Sequence, residues 1–219
     1  MSDKFHEELA RAKEDVLAMA YMAEEMLRDS ITALKADDRG LARNVKQRKS
    51  ELTERNDRLE EEFYQLIALY QPVARDMRFI ACSLKVISSS ERIGRYGKDI
   101  ANVVIKTVND SDLPDIVSGL SIPHMADLVL TMIDDALRAY ADEDTSYITR
   151  HSERDDTVDL LRHTIFRDGI TYMMEDPRTI TRCTNYLMVA RYLERCGDHS
   201  CKIAEKVHYM ITGERIEIR

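Results

Sequence analysis

Two pairs of acidic residues are the part of this sequence best suited to chemistry. Glu194 and Asp198 form one pair, and Asp155 and Asp159 form the other. Residues four positions apart lie on the same face of a helix, so each pair would present two carboxylates in one direction. If the two helices pack together, the four carboxylates would make an oxygen-rich site suited to Fe, Mn, Mg or Ca.

Two histidines, His151 and His199, lie close to these pairs in the sequence. A histidine ligand would shift the preference toward Fe, Zn, Ni or Mn. The alternative interpretation is an ordinary charged helix surface, on which the carboxylates are solvated or paired with cations such as Arg195 and Lys202. Spacing alone leaves both interpretations open.

A glycine inside the same segment suggests an internal repeat. The stretch "ERCGDHSCKIAEKV" (194–207) contains Gly197, and a shift of 103 residues aligns it with "ERIGRYGKDIANVV" (91–104), where Gly94 is equivalent. Glycine inside a helix costs about 1 kcal/mol relative to alanine. We therefore expect both glycines to allow close approach of a neighbouring helix.

Helices are the elements that must position these residues. Only 7 Gly and 4 Pro occur in 219 residues, and apolar residues recur every three or four positions, as in amphipathic helices. The sequence therefore predicts an all-α protein, and the repeat divides it into two tandem antiparallel three-helix bundles related by an internal pseudo-twofold. The predicted bundles are residues 1–112 and 113–219. The predicted helices are 3–36, 41–70, 73–109, 124–142, 145–174 and 177–212.

Composition excludes several classes of protein. A formal net charge of −8 argues against nucleic-acid binding, which relies on basic surface. The longest uncharged run, 63–74, is shorter than the roughly 20 apolar residues of a membrane span. The N-terminus has no apolar signal segment, so we expect a cytoplasmic location without membrane insertion. The four cysteines form no CxxC motif and are predicted to be free, buried thiols.

Several motifs together resemble the PhoU family, regulators of phosphate transport and uptake. They are the Glu-Arg-x-Gly-Asp-His-x-x-x-Ile-Ala-Glu string at 194–205, its weaker copy at 91–102, "YQPVARDMR" at 70–78 and Asp-Asp-x-Val-Asp at 155–159. The resemblance covers nearly the whole chain. It implies two PhoU bundles, a homodimer, and iron or zinc bound by carboxylate motifs on the bundle surface.

The resemblance also implies partners and a function. The expected partners are a phosphate ABC transporter, through its ATPase subunit, and a membrane sensor histidine kinase. The expected effect is to restrain phosphate uptake and the phosphate-starvation response when phosphate is plentiful. A regulator of this kind is not an enzyme. The sequence agrees, since it has no evident nucleophile–base pair and no phosphate-binding glycine loop.

The two halves depart differently from the family pattern. The second half keeps all four carboxylates. In the first half Glu91 and Asp99 remain, but Arg95 and Lys49 stand where acidic residues are expected. Two cations would repel a metal ion and could pair with the remaining carboxylates directly. We therefore predict a metal site in the second bundle and a degenerate, metal-free site in the first.

The sequence leaves two alternative functions open. The chain could regulate another transporter, including one for potassium uptake. It could also be a di-metal carboxylate enzyme or iron-storage bundle of the ferritin type, which needs two Glu-x-x-His pairs in the bundle core. Only Glu205–His208 has that spacing, which disfavours this second alternative.

Overall fold

Long α-helices form the described part of the chain, which is residues 2–107 and 116–218 of the computed structural model. These residues contain no β-strand, so the prediction of an all-α protein is confirmed. The helices are α1 (Ser2–Ala36), α2 (Arg39–Tyr70), α3 (Ala74–Lys106), the short α4 (Ile116–Gly119), α5 (Ile122–Asp142), α6 (His151–Glu175) and α7 (Ile180–Thr212).

The helix ends differ slightly from the predicted ends because of capping. Helix α2 begins before Gly40, since the Asp38 carboxylate accepts hydrogen bonds from the backbone N–H groups of Gly40 (2.8 Å) and Leu41 (2.9 Å). Helices α6 and α7 begin later than predicted, because a 3₁₀ turn precedes each of them, at Thr145–Ile148 and Pro177–Thr179. The sequence did not predict α4. The predicted end of the third helix at 109 and the predicted boundary between 112 and 113 lie outside the described residues.

The helices pack into two bundles, α1 with α2 and α3, and α5 with α6 and α7. The bundles join mainly through α3 and α7, with a smaller contact between α1 and α5. These two central helices run antiparallel, since Phe79 near the start of α3 lines the same cavity as Met210 near the end of α7. Residues of both bundles belong to one hydrophobic core.

A contact between equivalent residues marks the pseudo-twofold axis. Tyr96 of α3 and His199 of α7 occupy the same repeat position, and their ring centroids lie 6.2 Å apart across the bundle interface. A twofold interface brings a surface against its own equivalent, so equivalent residues meet near the axis. The predicted arrangement of two tandem bundles related by a pseudo-twofold agrees with this contact.

Two smaller predictions concern the cysteines and the membrane. All four cysteines are buried and free, as predicted. None of the described helices is both long enough and apolar enough to cross a bilayer.

Candidate functional site

Three aspartates of the second bundle, Asp155, Asp159 and Asp198, influence one another where α6 packs against α7. A Cβ built on Gly197 of α7 would lie 3.6 Å from Asp155 Oδ1 of α6, so the Asp155 carboxylate reaches across the helix interface. Burial raises the pKa of Asp155, and the carboxylates of Asp159 and Asp198 raise it further. Asp155, Asp159 and Asp198 therefore share one electrostatic environment.

Two arginines occupy this cluster alongside the carboxylates. Arg162 Nε lies 3.2 Å from Glu194 Oε1, and Arg195 Nη1 donates to Asp198 Oδ2 at 2.9 Å. Pairing with Arg195 was the alternative interpretation of the sequence, whereas Arg162 was missed. Arg162 is three residues after Asp159 and therefore lies on the same face of α6. This spacing could have predicted that Arg162 belongs to the cluster.

A cysteine also contacts the cluster. The nearby Cys201 thiol lowers the pKa of Asp155 and so partly opposes the rise caused by burial. Burial and the negative charge of Asp155 raise the pKa of Cys201 well above its ordinary value, so the thiol stays protonated. Sequence reasoning treated this cysteine only as a buried thiol.

The two predicted histidine ligands face other parts of the protein. His151 is fully buried, and its Nε2 lies 3.0 Å from the Met132 carbonyl oxygen and 3.3 Å from Ser200 Oγ. The ring of His199 packs on Tyr96 of the other bundle. Burial, followed by the nearby Lys202, lowers the pKa of His199 to about 4. The structure therefore places neither histidine among the carboxylates.

Donor chemistry and geometry do not fully agree on a metal site. Aspartate and glutamate oxygens suit hard cations. However, within residues 2–107 and 116–218 no group of three or more His, Cys, Asp or Glu side chains is placed to hold a metal ion. A metal would have to displace Arg162 from Glu194 and Arg195 from Asp198. The arrangement is therefore a set of ion pairs beside Asp155, whose pKa is raised by burial and by neighbouring like charges.

The equivalent place in the first bundle is an ion pair. Lys49 Nζ lies 2.7 Å from Glu91 Oε1, and each side chain is only 19% exposed. This pair was predicted. The second predicted pair, Arg95 with Asp99, is not formed: Asp99 pairs with Lys98 at 2.8 Å, and the Arg95 guanidinium lies 5.8 Å from the centroid of the Tyr96 ring.

The repeated glycines have different surroundings in the two bundles. A Cβ on Gly94 would overlap Leu52 Cδ2. A Cβ on the nearby Gly97 would lie 3.0 Å from backbone atoms of Met26, so close helix approach occurs at this position. At Gly197 the nearest atom would be at an ordinary contact distance of 3.6 Å. The expectation that Gly197 is needed for close approach is therefore wrong.

A known protein family has the same duplicated arrangement as this chain. The family described as "PhoU domain" matches the chain twice, over residues 16–104 and 122–207. The chain belongs to the PhoU family. The two PhoU matches fall on the two bundles.

Relatives match the chain along nearly its whole length. A protein of Rhizobium meliloti (strain 1021) is 36% identical over 95% of this chain and 87% of its own length. One from Caulobacter vibrioides is 38% identical over 97% of this chain and 91% of its own. Both are named "Phosphate-specific transport system accessory protein PhoU homolog". Such names describe accessory proteins and not enzymes.

Solved PhoU structures have the same fold. The crystal structure of PhoU from Pseudomonas aeruginosa has a TM-score of 0.89 at 33% identity and covers 96% of this chain and 100% of its own. The phosphate transport system regulatory protein PhoU from Streptococcus pneumoniae has a TM-score of 0.87 at 24% identity, covering 97% and 99% respectively. The second similarity bears on the fold alone.

Proposed function

We propose that this PhoU protein regulates phosphate uptake as an accessory protein of a phosphate-specific ABC transporter. It would act in the cytoplasm by docking on the ATPase subunit of the transporter and on a sensor histidine kinase. The observation that carries the proposal is the match to relatives named as accessory proteins of phosphate-specific transport, over 95% to 97% of this chain.

Exposed apolar side chains at the two equivalent helix connections support protein docking. Leu69, at the connection of α2 and α3, is 73% exposed, and Met174, at the connection of α6 and α7, is 79% exposed. Val73 and Ile180 are exposed beside them. Clustered exposed apolar residues often mark protein-interaction surfaces. Because α3 and α7 run antiparallel, these connections lie at opposite ends of the molecule and could contact a partner at two separate points.

Docking is tested with the purified full chain and the ATPase subunit from the same organism, using biolayer interferometry. Leu69→Glu and Met174→Glu should each weaken binding by about tenfold, which corresponds to about 1.4 kcal/mol. Met188→Glu changes an apolar side chain that is 37% exposed and lies outside both connections, so it serves as the matched control. If the wild-type chain does not bind the subunit, docking on the ATPase is refuted.

The phosphate role itself is tested in cells. Deletion of the gene should raise phosphate uptake and switch on the phosphate-starvation response in phosphate-rich medium. Potassium uptake is measured in parallel, because a change confined to potassium would support the alternative transporter instead. The kinase proposal requires that the starvation response in the deletion strain depends on the sensor kinase.

We also propose that the second-bundle carboxylates bind a divalent or ferric metal ion, with Fe or Zn first and Mn, Ni, Mg or Ca as further candidates. Asp155, Asp159 and Asp198 are close enough for their like charges to raise the pKa of Asp155, and a cation would relieve that repulsion. In the first bundle the ammonium of Lys49 would oppose a cation.

Metal titration of the purified chain tests this proposal. Wild type and Glu91→Ala, which changes the first bundle, should bind the same amount of metal, and Asp198→Ala should bind much less. Equal binding by Asp198→Ala and wild type would refute the assignment. The predicted homodimer is tested separately by light scattering, where it requires twice the 25.3 kDa chain mass.

A further inference from the structure

A cavity of about 650 Å³ lies where the ends of four helices meet. It is bounded by the starts of α1 and α3 and by the ends of α5 and α7, so both bundles contribute to it. Its lining includes Leu9, Lys13, Arg75, Arg78, Phe79 and Met210. Its volume is within the range of roughly 300–1,000 Å³ that is typical of small-molecule sites.

The cationic side chains of the cavity outnumber the available carboxylates. Of the two acidic residues that line it, Glu143 pairs with Lys13 at 3.0 Å and Asp76 lies 3.7 Å from a histidine ring nitrogen. Arg75 and Arg78 form no ion pair with any described residue. The cavity therefore has two uncompensated guanidinium groups.

One donor of Arg78 also lacks a hydrogen-bond acceptor. Its Nε is buried and has no partner among the residues that the structure describes. A buried donor without a partner costs about 1–3 kcal/mol, so an acceptor supplied by a ligand would be stabilising. Guanidinium groups match phosphate oxygens in geometry as well as in charge.

The remaining wall of the cavity is apolar. Leu9 and Met210 are core residues, and the partly buried ring of Phe79 packs against that core. A ligand that fits both walls combines an anionic group with an apolar or planar body. Inorganic phosphate would satisfy the arginines but would leave this apolar wall in contact with water.

The other end of the molecule has a related but much smaller cavity. It has a volume of about 90 Å³ and is lined by Arg182, whose Nε and Nη1 are likewise buried without a partner in the described chain. The difference in volume comes from the first helix of each bundle. Helix α1 begins at Ser2, well before the first PhoU match at residue 16. Helix α5 begins at Ile122, where the second match also begins. Leu9 and Lys13 lie in this additional part of α1, so the large cavity has a wall without a counterpart in the repeat.

We propose that this cavity binds a nucleoside phosphate. Arg75 and Arg78 contact the phosphate oxygens, and Phe79 with Met210 contacts the base or sugar. The bound molecule touches helix ends from both bundles and so stabilises their relative arrangement. The proposal is independent of the transporter partner and of the metal site.

Isothermal titration calorimetry of the full chain tests the proposal, with ATP, AMP and inorganic phosphate as probes in EDTA to exclude metal effects. We expect at least one nucleotide to bind about tenfold or more tightly than inorganic phosphate. Arg75→Gln and Arg78→Gln should each weaken nucleotide binding by about tenfold. Arg43→Gln removes an exposed arginine of α2 and should leave binding unchanged; circular dichroism confirms folding of each variant.

Three results would overturn the proposal. The first is the absence of nucleotide binding at about 1 mM, the weak end of specific affinity. The second is equal affinity for phosphate and nucleotide, which would mean that the apolar wall contributes nothing. The third is unchanged affinity in both cavity variants.

Discussion

Alanine substitution of three glycines tests how the two bundles differ in packing. Gly97 and Gly94 lie on α3, and Gly197 is the repeat equivalent of Gly94 on α7. An added Cβ would meet backbone atoms of Met26 at 3.0 Å from position 97, but nothing closer than 3.6 Å from position 197. The same change in chemistry should therefore have opposite effects in the two bundles.

The expected magnitudes follow from two opposing contributions. Replacing a helical glycine with alanine stabilises the helix by about 1 kcal/mol. Overpacking of a filled interior costs about 1–3 kcal/mol, and at Gly97 the obstructing atoms belong to a backbone that cannot rotate away. Gly97→Ala should therefore lower the free energy of unfolding by up to about 2 kcal/mol, whereas Gly197→Ala should raise it by about 0.5–1 kcal/mol.

Gly94→Ala should fall between these two values. The obstructing atom is the end of the Leu52 side chain, which can change rotamer, but Leu52 is fully buried and has little free space. Urea unfolding of the three variants, followed by circular dichroism in EDTA, gives the order of stability. Destabilisation by Gly197→Ala, or stabilisation by Gly97→Ala, would refute the packing argument.

Three further predictions concern charge. Glu91→Gln removes the carboxylate partner of the mostly buried Lys49 cation, so the free energy of unfolding measured in urea should fall by about 1–2 kcal/mol. An unchanged urea midpoint of unfolding would contradict this prediction. Burial raises the pKa of Asp155 above its ordinary value of 3.8. The wild-type protein should therefore become more stable as the pH falls through the raised pKa toward 3.8, because the folded state takes up the proton first. Asp155→Asn should be more stable than wild type at pH 7 and should lack this gain at lower pH. The pKa of His199 is lowered to about 4, so its contribution to stability is complete above pH 6.5 and is lost between pH 6.5 and 4. Thermal unfolding as a function of pH should show a shallower loss for His199→Gln, and an identical profile would contradict the prediction.

The fold could be predicted because its determinants are local or repeated. Apolar periodicity and the few glycines and prolines located the long helices, and the 103-residue repeat indicated two bundles. The errors lie at helix ends, where single side chains decide the boundary: the Asp38 cap extends α2 backward, and Asp176 forms a turn before α7 by accepting from the N–H of Arg178 at 3.0 Å.

The surroundings of the candidate histidine ligands could not be predicted from their spacing in the sequence. Asp198 and His199 are adjacent in sequence, but consecutive helix residues point about 100° apart. The carboxylate therefore lies near α6, while the imidazole faces α3. His151 is four residues before Asp155, yet α6 begins there and its ring bonds to α5 and α7. These directions depend on tertiary packing, which spacing along one helix does not specify.

The cavity at the helix ends could not be predicted from sequence patterns, since its residues come from four separate segments. It shows how a duplicated fold acquires different chemistry in its two halves. The second bundle keeps the four carboxylates of the proposed cation site, whereas in the first bundle Lys49 and Arg95 stand at two of the equivalent positions. The longer α1 adds a basic wall to the cavity between the two bundles. Cation binding at the carboxylates and anion binding at the cavity would involve opposite charges and separate residues. Each can therefore be abolished by substitutions that leave the other intact, so the two proposals can be tested separately in the same protein.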